Sequence, residues 1–178
     1  MAVETGITIE EFEQLPDALA HNHELVNGEL VDVSGNTPHH NRIRDFLIAK
    51  LIPLIEPALG MIIAEQEFDF DGNAHGPDVA LIGLSKVPLL DRAKRVQRFV
   101  PDLAIEIESQ NDTFRSLVGK AGRYRKCGSR EVWVLSPETR RAFVLSEERQ
   151  VILDDDQMFE SKLLPGFSIR LSELFDRP

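Results

Sequence analysis

The stretch that decides the fold is residues 100–137, VPDLAIEIESQNDTFRSLVGKAGRYRKCGSREVWVLSP. It opens with a short strand candidate at residues 103–108 and closes with a second one, rich in Val and Trp, at residues 131–135. Between them, Asn111 or Asp112 is placed to cap a helix that runs to about Lys126. A strand, a helix of about 15 residues and another strand form a crossover, which predicts that the two strands are parallel.

Upstream of this segment the pattern predicts one more helix and two more strands. From Pro38 the apolar residues recur every three or four positions, as in a helix, and Pro53 is expected to kink that helix or end it early. Strand candidates follow at residues 61–70 and 78–82, and the turn sequence Asp71-Gly72-Asn73 between them predicts an antiparallel pair. The core order is therefore αβββαβ, an α/β fold with a mixed β-sheet flanked by helices.

Both ends of the chain carry local signals. Thr8 and Glu11 form a capping-box pattern, which predicts a short N-terminal helix. Asn27-Gly28 lies between two apolar segments and predicts a β-hairpin. Downstream, residues 141–153 suggest another hairpin and residues 171–175 a short terminal helix. Because no repeat or long linker interrupts the chain, we expect a single domain over residues 1–178.

Composition limits the function classes. No apolar run reaches the roughly 18 residues of a membrane span, so we expect no membrane partner. Cys127 is the only cysteine, which excludes an internal disulfide and suits the cytoplasm. A net charge of −10 opposes indiscriminate binding to nucleic acid. However, residues 86–130 hold 11 of the 20 basic and only 5 of the 30 acidic residues, which leaves two interpretations open: a phosphate-facing surface or solvated helix faces.

Carboxylates in otherwise apolar strands suggest a metal site. Period-2 alternation puts Glu106 and Glu108 on one face of their strand, and Asp78 opens a neighbouring strand. If these strands pair near those ends, Asp78 and Glu106 converge on one point. Two carboxylates and several waters suit Mg²⁺. Asp102 is four residues from Glu106, roughly 13 Å along the strand, which is too far to share one ion with it.

Four segments together resemble a known family. HELVNGELVDVSGNTPHHNRI, GPDVALI, the segment at residues 100–137 and LLPGFSIRLSELF are similar, in this order, to the motifs of the PD-(D/E)xK nuclease superfamily. Within it they resemble a bacterial restriction endonuclease family that is numerous in cyanobacteria. The resemblance covers nearly the whole chain. It implies a restriction-endonuclease-like fold, a Mg²⁺ (or Mn²⁺) cofactor, DNA as the substrate and a homodimer.

The resemblance also assigns roles to individual residues. It makes Asp78 the first acid and Glu106 the second, both of them metal ligands, whereas Glu108 stands where the superfamily has a lysine. In this bacterial family the lysine is relocated to the following helix, here Lys120. Glu108 is then a candidate for an added ligand of this ion or of a second one.

Four further residues are candidates for the site. The resemblance makes Glu29 a candidate to complete the metal shell, with a solvated surface residue as the alternative. His40 either contacts phosphate or sits at a solvated helix N-terminus. Arg123 and Arg125 are the candidates for contacts with the DNA backbone.

Two functions remain open from the sequence. The first is a Mg²⁺-dependent endodeoxyribonuclease that hydrolyses phosphodiester bonds. The second is a catalytically weak or inactive module of the same fold that binds DNA or protein. An acid hydrolase with paired carboxylates is less consistent with the chain, because Trp133 is its only tryptophan and no aromatic sugar-binding platform is recognisable.

Overall fold

The computed structural model describes residues 6–33 and 35–176. The α-helices of this part are α1 (Ile9–Glu13), α2 (Asp17–Ala20), α3 (Pro38–Ile55), α4 (Phe114–Lys126) and α5 (Leu171–Phe175). The strands are β1 (His23–Val26), β2 (Glu29–Asp32), β3 (Gly60–Ala64), β4 (Glu67–Asp69), β5 (Ala74–His75), β6 (Val79–Gly83), β7 (Val96–Gln97), β8 (Leu103–Ile107), β9 (Glu131–Ser136), β10 (Arg141–Ser146), β11 (Gln150–Leu153), β12 (Met158–Glu160) and β13 (Ser168–Arg170). None of these helices combines the length and apolar character that crossing a membrane requires.

The largest sheet, which we call the central sheet, confirms the predicted core order. Its six strands lie in the order β11-β10-β9-β8-β6-β3. Since α3 precedes β3 and α4 connects β8 to β9, the core runs αβββαβ. β8 and β9 are parallel, as the crossover predicts. β6 is antiparallel to both of its neighbours, β3 and β8, so the sheet is mixed.

The middle strands of the central sheet are buried on both faces. Leu103, Ile105 and Ile107 of β8 pack into the cluster that contains the apolar side of α3. Ala104, on the opposite face, packs into the cluster that contains the apolar side of α4. Side chains alternate along a strand, so Glu106 projects from the same face as Ala104, towards α4.

The strand predicted over residues 61–70 is two strands in two sheets. β3 belongs to the central sheet, whereas β4 belongs to a five-stranded sheet of order β2-β1-β5-β4-β7, which we call the small sheet. Glu65 separates them with a φ of 54°, a left-handed conformation that a continuous strand does not contain. The turn at Asp71-Gly72-Asn73 therefore connects β4 to β5 within the small sheet, and the antiparallel partner of β6 is β3.

The predicted local signals at the N-terminal end are confirmed. The side chain of Thr8 accepts a hydrogen bond from the Glu11 N–H, and the Glu11 carboxylate accepts one from the Thr8 N–H, which completes the capping box of α1. Asn27 and Gly28 have φ values of 52° and 80° and connect β1 to β2 as a two-residue turn.

The two long helices differ from prediction at their ends. α4 is capped by Thr113, which accepts a hydrogen bond from the Ser116 N–H. Asp112 instead accepts hydrogen bonds from the backbone and the side chain of Ser109, so it stabilises the loop before the helix. α3 continues past Pro53 to Ile55.

Candidate active site

The register of two strands brings Asp78 and Glu106 together. Val79 of β6 pairs with Ile105 of β8, so Asp78, one residue before Val79, lies across from Glu106. Asp78 Oδ2 accepts a hydrogen bond of 2.7 Å from the Ile107 N–H, which fixes its carboxylate at the strand end. Both acids are largely buried and line one cavity of about 870 Å³.

His40 reaches this cavity from the first turn of α3. Thr37 caps the helix by accepting a hydrogen bond of 3.2 Å from the His40 N–H, which directs the buried imidazole inward. Its Nε2 lies 3.1 Å from Asp78 Oδ1. Burial alone would lower the pKa of His40, but the adjacent Asp78 carboxylate outweighs it and raises the pKa. The buried side chain of His40 thus contacts Asp78, one of the acids of the site.

Lys120 and Tyr124 reach the site from α4. Lys120 Nζ lies 3.1 Å from Glu106 Oε1, and the Tyr124 hydroxyl donates a hydrogen bond of 2.6 Å to the same oxygen. The apolar stripe of Leu117, Ala121 and Tyr124 is buried, and the helix packs on β9 and β10, next to β8. The ring of Tyr124 is fully buried, and its hydroxyl contacts Glu106.

Glu24, which sequence reasoning passed over, also lines the cavity. It lies on β1 of the small sheet and is only 7% exposed. Its Oε1 accepts hydrogen bonds from Lys120 Nζ at 2.8 Å and from the Gly76 N–H at 3.1 Å. Its Oε2 lies 2.8 Å from His75 Nδ1. The sequence signal was an acid three residues before Asn27 of the Asn27-Gly28 turn, next to the apolar Leu25.

The pKa values of the two buried glutamates move in opposite directions. Burial, together with the nearby Asp78 and Glu24 carboxylates, raises the pKa of Glu106 to about 8, although Lys120 and the Tyr124 hydroxyl oppose this. Burial would also raise the pKa of Glu24, but Lys120 and His75 outweigh it and lower the pKa to about 2. Glu24 is therefore ionised at neutral pH, whereas Glu106 is largely protonated.

Lys120 remains a cation in this environment. Burial lowers its pKa, but the surrounding Glu106 and Glu24 carboxylates raise it above the usual value for a lysine. The Glu24 carboxylate lies 2.8 Å from the amine. The site thus holds one fixed positive charge between two acids.

Three predicted residues do not reach the cavity. β8 ends at Ile107, so alternation no longer applies to Glu108, whose carboxylate accepts a hydrogen bond from the Ser136 hydroxyl at the end of β9. Glu29 is exposed on β2, the edge strand of the small sheet. Arg125 donates to the Ser129 carbonyl beyond the end of α4.

Arg123, in contrast, lines the cavity. Its Nη1 lies 3.1 Å from His75 Nε2 and 3.3 Å from Asn73 Oδ1. Both partners belong to the segment that contains β5, so Arg123 joins α4 to the small sheet at the edge of the cavity.

Asp102, which follows Pro101 as Asp78 follows Pro77, lies elsewhere in the structure. Asp102 precedes β8 at the opposite end from Glu106. Its Oδ2 accepts a hydrogen bond of 2.9 Å from the Gly83 N–H, and its Oδ1 lies 3.2 Å from Lys86 Nζ. It ties the end of β6 to the start of β8, away from the cavity.

The carboxylates of the cavity form a candidate site for a divalent cation. Among the described residues no three His, Cys, Asp or Glu side chains form a ready group of ligands. Asp78 and Glu106 nevertheless supply two hard oxygen donors in one cavity, as Mg²⁺ with several retained waters requires. Burial, together with the Asp78 and Glu24 carboxylates, raises the pKa of Glu106, and a bound cation would oppose this rise. The residues therefore fit such an ion.

Comparisons with known proteins agree with this architecture. Residues 9–172 match the model of the Uma2 family, described as "Putative restriction endonuclease". No curated protein matches the chain significantly. A solved structure from Anabaena variabilis ATCC 29413, described as a putative nuclease belonging to DUF820, is similar with a TM-score of 0.83 and 19% identity, over 95% of this chain and 97% of that one. At this identity the structural likeness concerns the fold.

Proposed function

Because this chain belongs to the Uma2 family of restriction-endonuclease-like proteins, we propose that it is a divalent-metal-dependent endonuclease that hydrolyses DNA phosphodiester bonds. The observation that carries the proposal is the convergence of Asp78, Glu106 and Lys120, which come from three separate elements, in one cavity. Two carboxylates and an ammonium group are the functional groups that metal-assisted phosphodiester hydrolysis requires.

Each of these groups has a role in the proposed reaction. Asp78 and Glu106 would hold Mg²⁺ or Mn²⁺, which when bound polarises a phosphodiester and lowers the pKa of an attacking water. The Lys120 ammonium would stabilise the negative charge that develops on the phosphate. His40, which contacts Asp78 Oδ1, would hold that carboxylate in place from α3.

Cleavage of plasmid DNA tests the proposal. Purified protein is incubated with supercoiled and linear DNA in the presence of Mg²⁺, Mn²⁺ or EDTA, next to an Asp78→Asn control. We expect cleavage with either cation, none in EDTA and none by the variant. Nicked circles that precede linear product would indicate independent cuts, whereas direct linearisation would favour the proposed homodimer. Equal cleavage by the wild type and by Asp78→Asn would contradict the proposal.

One observation favours a second candidate, a nuclease-fold module without efficient catalysis. Glu108, at the position of the superfamily's lysine, is turned away from the cavity towards Ser136. The net charge of −10 also disfavours tight DNA binding. This candidate predicts no cleavage with any cation, and DNA binding that is weak even at low salt. The plasmid experiment therefore separates the two functions.

A further inference from the structure

The Lys120 ammonium is held from two sides, and the two sides belong to different sheets. Glu106 of the central sheet lies 3.1 Å from Nζ, and Glu24 of the small sheet lies 2.8 Å from it. A lysine side chain has four rotatable bonds and a point charge that solvates in many orientations. With Glu106 alone it would have a single protein carboxylate as partner.

We infer that Glu24 is a positioning residue, which fixes the Lys120 ammonium beside Glu106 and is itself held in place by His75 and Arg123. The inference rests on the proposed function for its catalytic consequence. Its structural part, the fixing of Lys120, stands independently of any cleavage activity. Neither Glu24 nor His75 is required to touch the substrate or a cation.

The hydrogen bonds around Glu24 have defined donors and acceptors. An ionised carboxylate only accepts, so the proton on His75 must lie on Nδ1, which is 2.8 Å from Glu24 Oε2. His75 Nε2 then carries a lone pair and accepts from Arg123 Nη1 at 3.1 Å, since arginine only donates. A single tautomer of His75 thus satisfies both neighbours, and burial favours the neutral ring by lowering its pKa.

The backbone adds a further restraint on Glu24. Oε1 accepts from the Gly76 N–H at 3.1 Å in addition to Lys120, so the carboxylate is bound through both oxygens. Of the groups that hold the Glu24 carboxylate, His75 belongs to β5 and Gly76 follows it, whereas Lys120 belongs to α4. Arg123, which holds His75, also belongs to α4. The position of the Lys120 amine on α4 therefore depends, through Glu24, on the position of the small sheet.

The first test measures the state of Lys120 without any nuclease assay. Wild type and Glu24→Gln are acetylated with acetic anhydride, and modification of Lys120 is read by peptide mass spectrometry against the exposed Lys162 in the same chain. We expect Glu24→Gln to accelerate labelling of Lys120 about tenfold, because the amine loses the carboxylate that holds it at 2.8 Å. Glu29→Gln, which removes an exposed carboxylate from the same hairpin, is the matched control and should leave the rate unchanged.

The second test uses kinetics to separate positioning from binding. Misplacement of a reacting group by about 1 Å costs on the order of 10²-fold in rate. We expect Glu24→Gln to lower kcat by about that factor while KM for DNA stays within about twofold, because a positioning role requires no contact between Glu24 and the substrate. Unchanged labelling together with an unchanged kcat would overturn the inference.

A pair of His75 variants distinguishes positioning from a general loss of structure. His75→Asn retains an N–H donor in the place of Nδ1, whereas His75→Ala removes it. We expect His75→Asn to keep slow labelling of Lys120 and most of kcat, and His75→Ala to lose both. Equal behaviour of the two variants would overturn the part assigned to His75. This pair also decides the question if thermal unfolding shows that Glu24→Gln does not fold.

The outcomes keep this inference apart from the proposed function. If the wild type does not cleave DNA under any condition, the proposed function fails, but the labelling experiment still reports whether Glu24 fixes Lys120. If the wild type cleaves and Glu24→Gln is indistinguishable from it in both tests, the nuclease assignment stands and the positioning role is wrong.

Discussion

Replacing Glu106 with glutamine should stabilise the protein at pH 7 in the absence of divalent metal. Burial and nearby carboxylates raise the pKa of Glu106 from about 4.5 to about 8 on folding. Below pH 4.5 the side chain is protonated in the folded and the unfolded states, so its full stabilising contribution is present. As the pH rises towards 8 the unfolded state loses the proton first, and the free energy of unfolding falls.

The size of the effect follows from this linkage. Each pH unit between the two pKa values is worth about 1.4 kcal/mol. The free energy of unfolding of the wild type should therefore fall by about 3 kcal/mol between pH 4.5 and pH 7, and by about 4 kcal/mol by pH 8. The glutamine side chain of the Glu106→Gln variant cannot ionise and still offers an oxygen to the Tyr124 hydroxyl and to Lys120. The pKa of about 8 already includes the attraction between Lys120 and an ionised Glu106, so this attraction is not counted a second time.

Urea unfolding at pH 5, 6, 7 and 8 in EDTA provides the measurement. We expect Glu106→Gln to exceed the wild type by a margin that grows with pH and disappears near pH 4.5. Glu108→Gln makes the same chemical change outside the cavity and sets the background. The reasoning would be refuted if Glu106→Gln were less stable than the wild type at pH 7. Glu106 would then be ionised and bound to Lys120 as a stabilising ion pair.

Three further predictions concern the metal, the amine and the DNA. Asp78→Asn should abolish Mn²⁺ binding measured by calorimetry, and unchanged binding in this variant would remove Asp78 from the metal shell. The affinity of the wild type for Mn²⁺ should rise between pH 6 and pH 8 by up to about tenfold per pH unit, because Glu106 must release its proton to bind the ion. Lys120→Ala should lower the rate of DNA cleavage by about 10²-fold or more, and cleavage at the wild-type rate would refute a catalytic role for Lys120. The same variant should lose about 3 kcal/mol of unfolding free energy in urea, since Glu24 is left buried without its cation. Arg123→Gln should reduce the salt dependence of DNA binding by about one counterion, whereas Arg125→Gln should not; equal slopes for both variants would contradict this.

The sequence predicted the core of the fold because local and long-range signals agreed there. The segment at residues 100–137 contained a strand, a capped helix and a second strand, and a crossover of that kind has one common geometry. The same segment carries Glu106 and Lys120, and the antiparallel pairing of β6 with β8 adds Asp78 to their cavity. Four motifs in order also identified the family, which the match over residues 9–172 confirmed.

The sequence could not show where one sheet ends and the next begins. Residues 61–70 read as one apolar strand, because the change of direction at Glu65 is made by a single residue with a positive φ, and glutamate gives no signal for that conformation. The small sheet was therefore not predicted, and with it Glu24 and His75 were missed as parts of the site. Glu29 was preferred to Glu24 on the resemblance alone.

The division of the site between two sheets has a consequence for partial unfolding. Glu24 and His75 lie on the small sheet, Asp78 and Glu106 lie on or beside strands of the central sheet, and Lys120 touches both groups. Among the described residues, the core cluster beneath the small sheet contains five buried apolar side chains, Ile9, Phe12, Leu25, Ala74 and Val96, far fewer than the clusters on the central sheet. Regions with few buried contacts open at lower free energy than the whole domain. Hydrogen exchange should therefore find β1 and β5 opening ahead of β8 and β9, and a chain in that half-open form would keep most of its sheet structure while Lys120 has lost one of its two carboxylates.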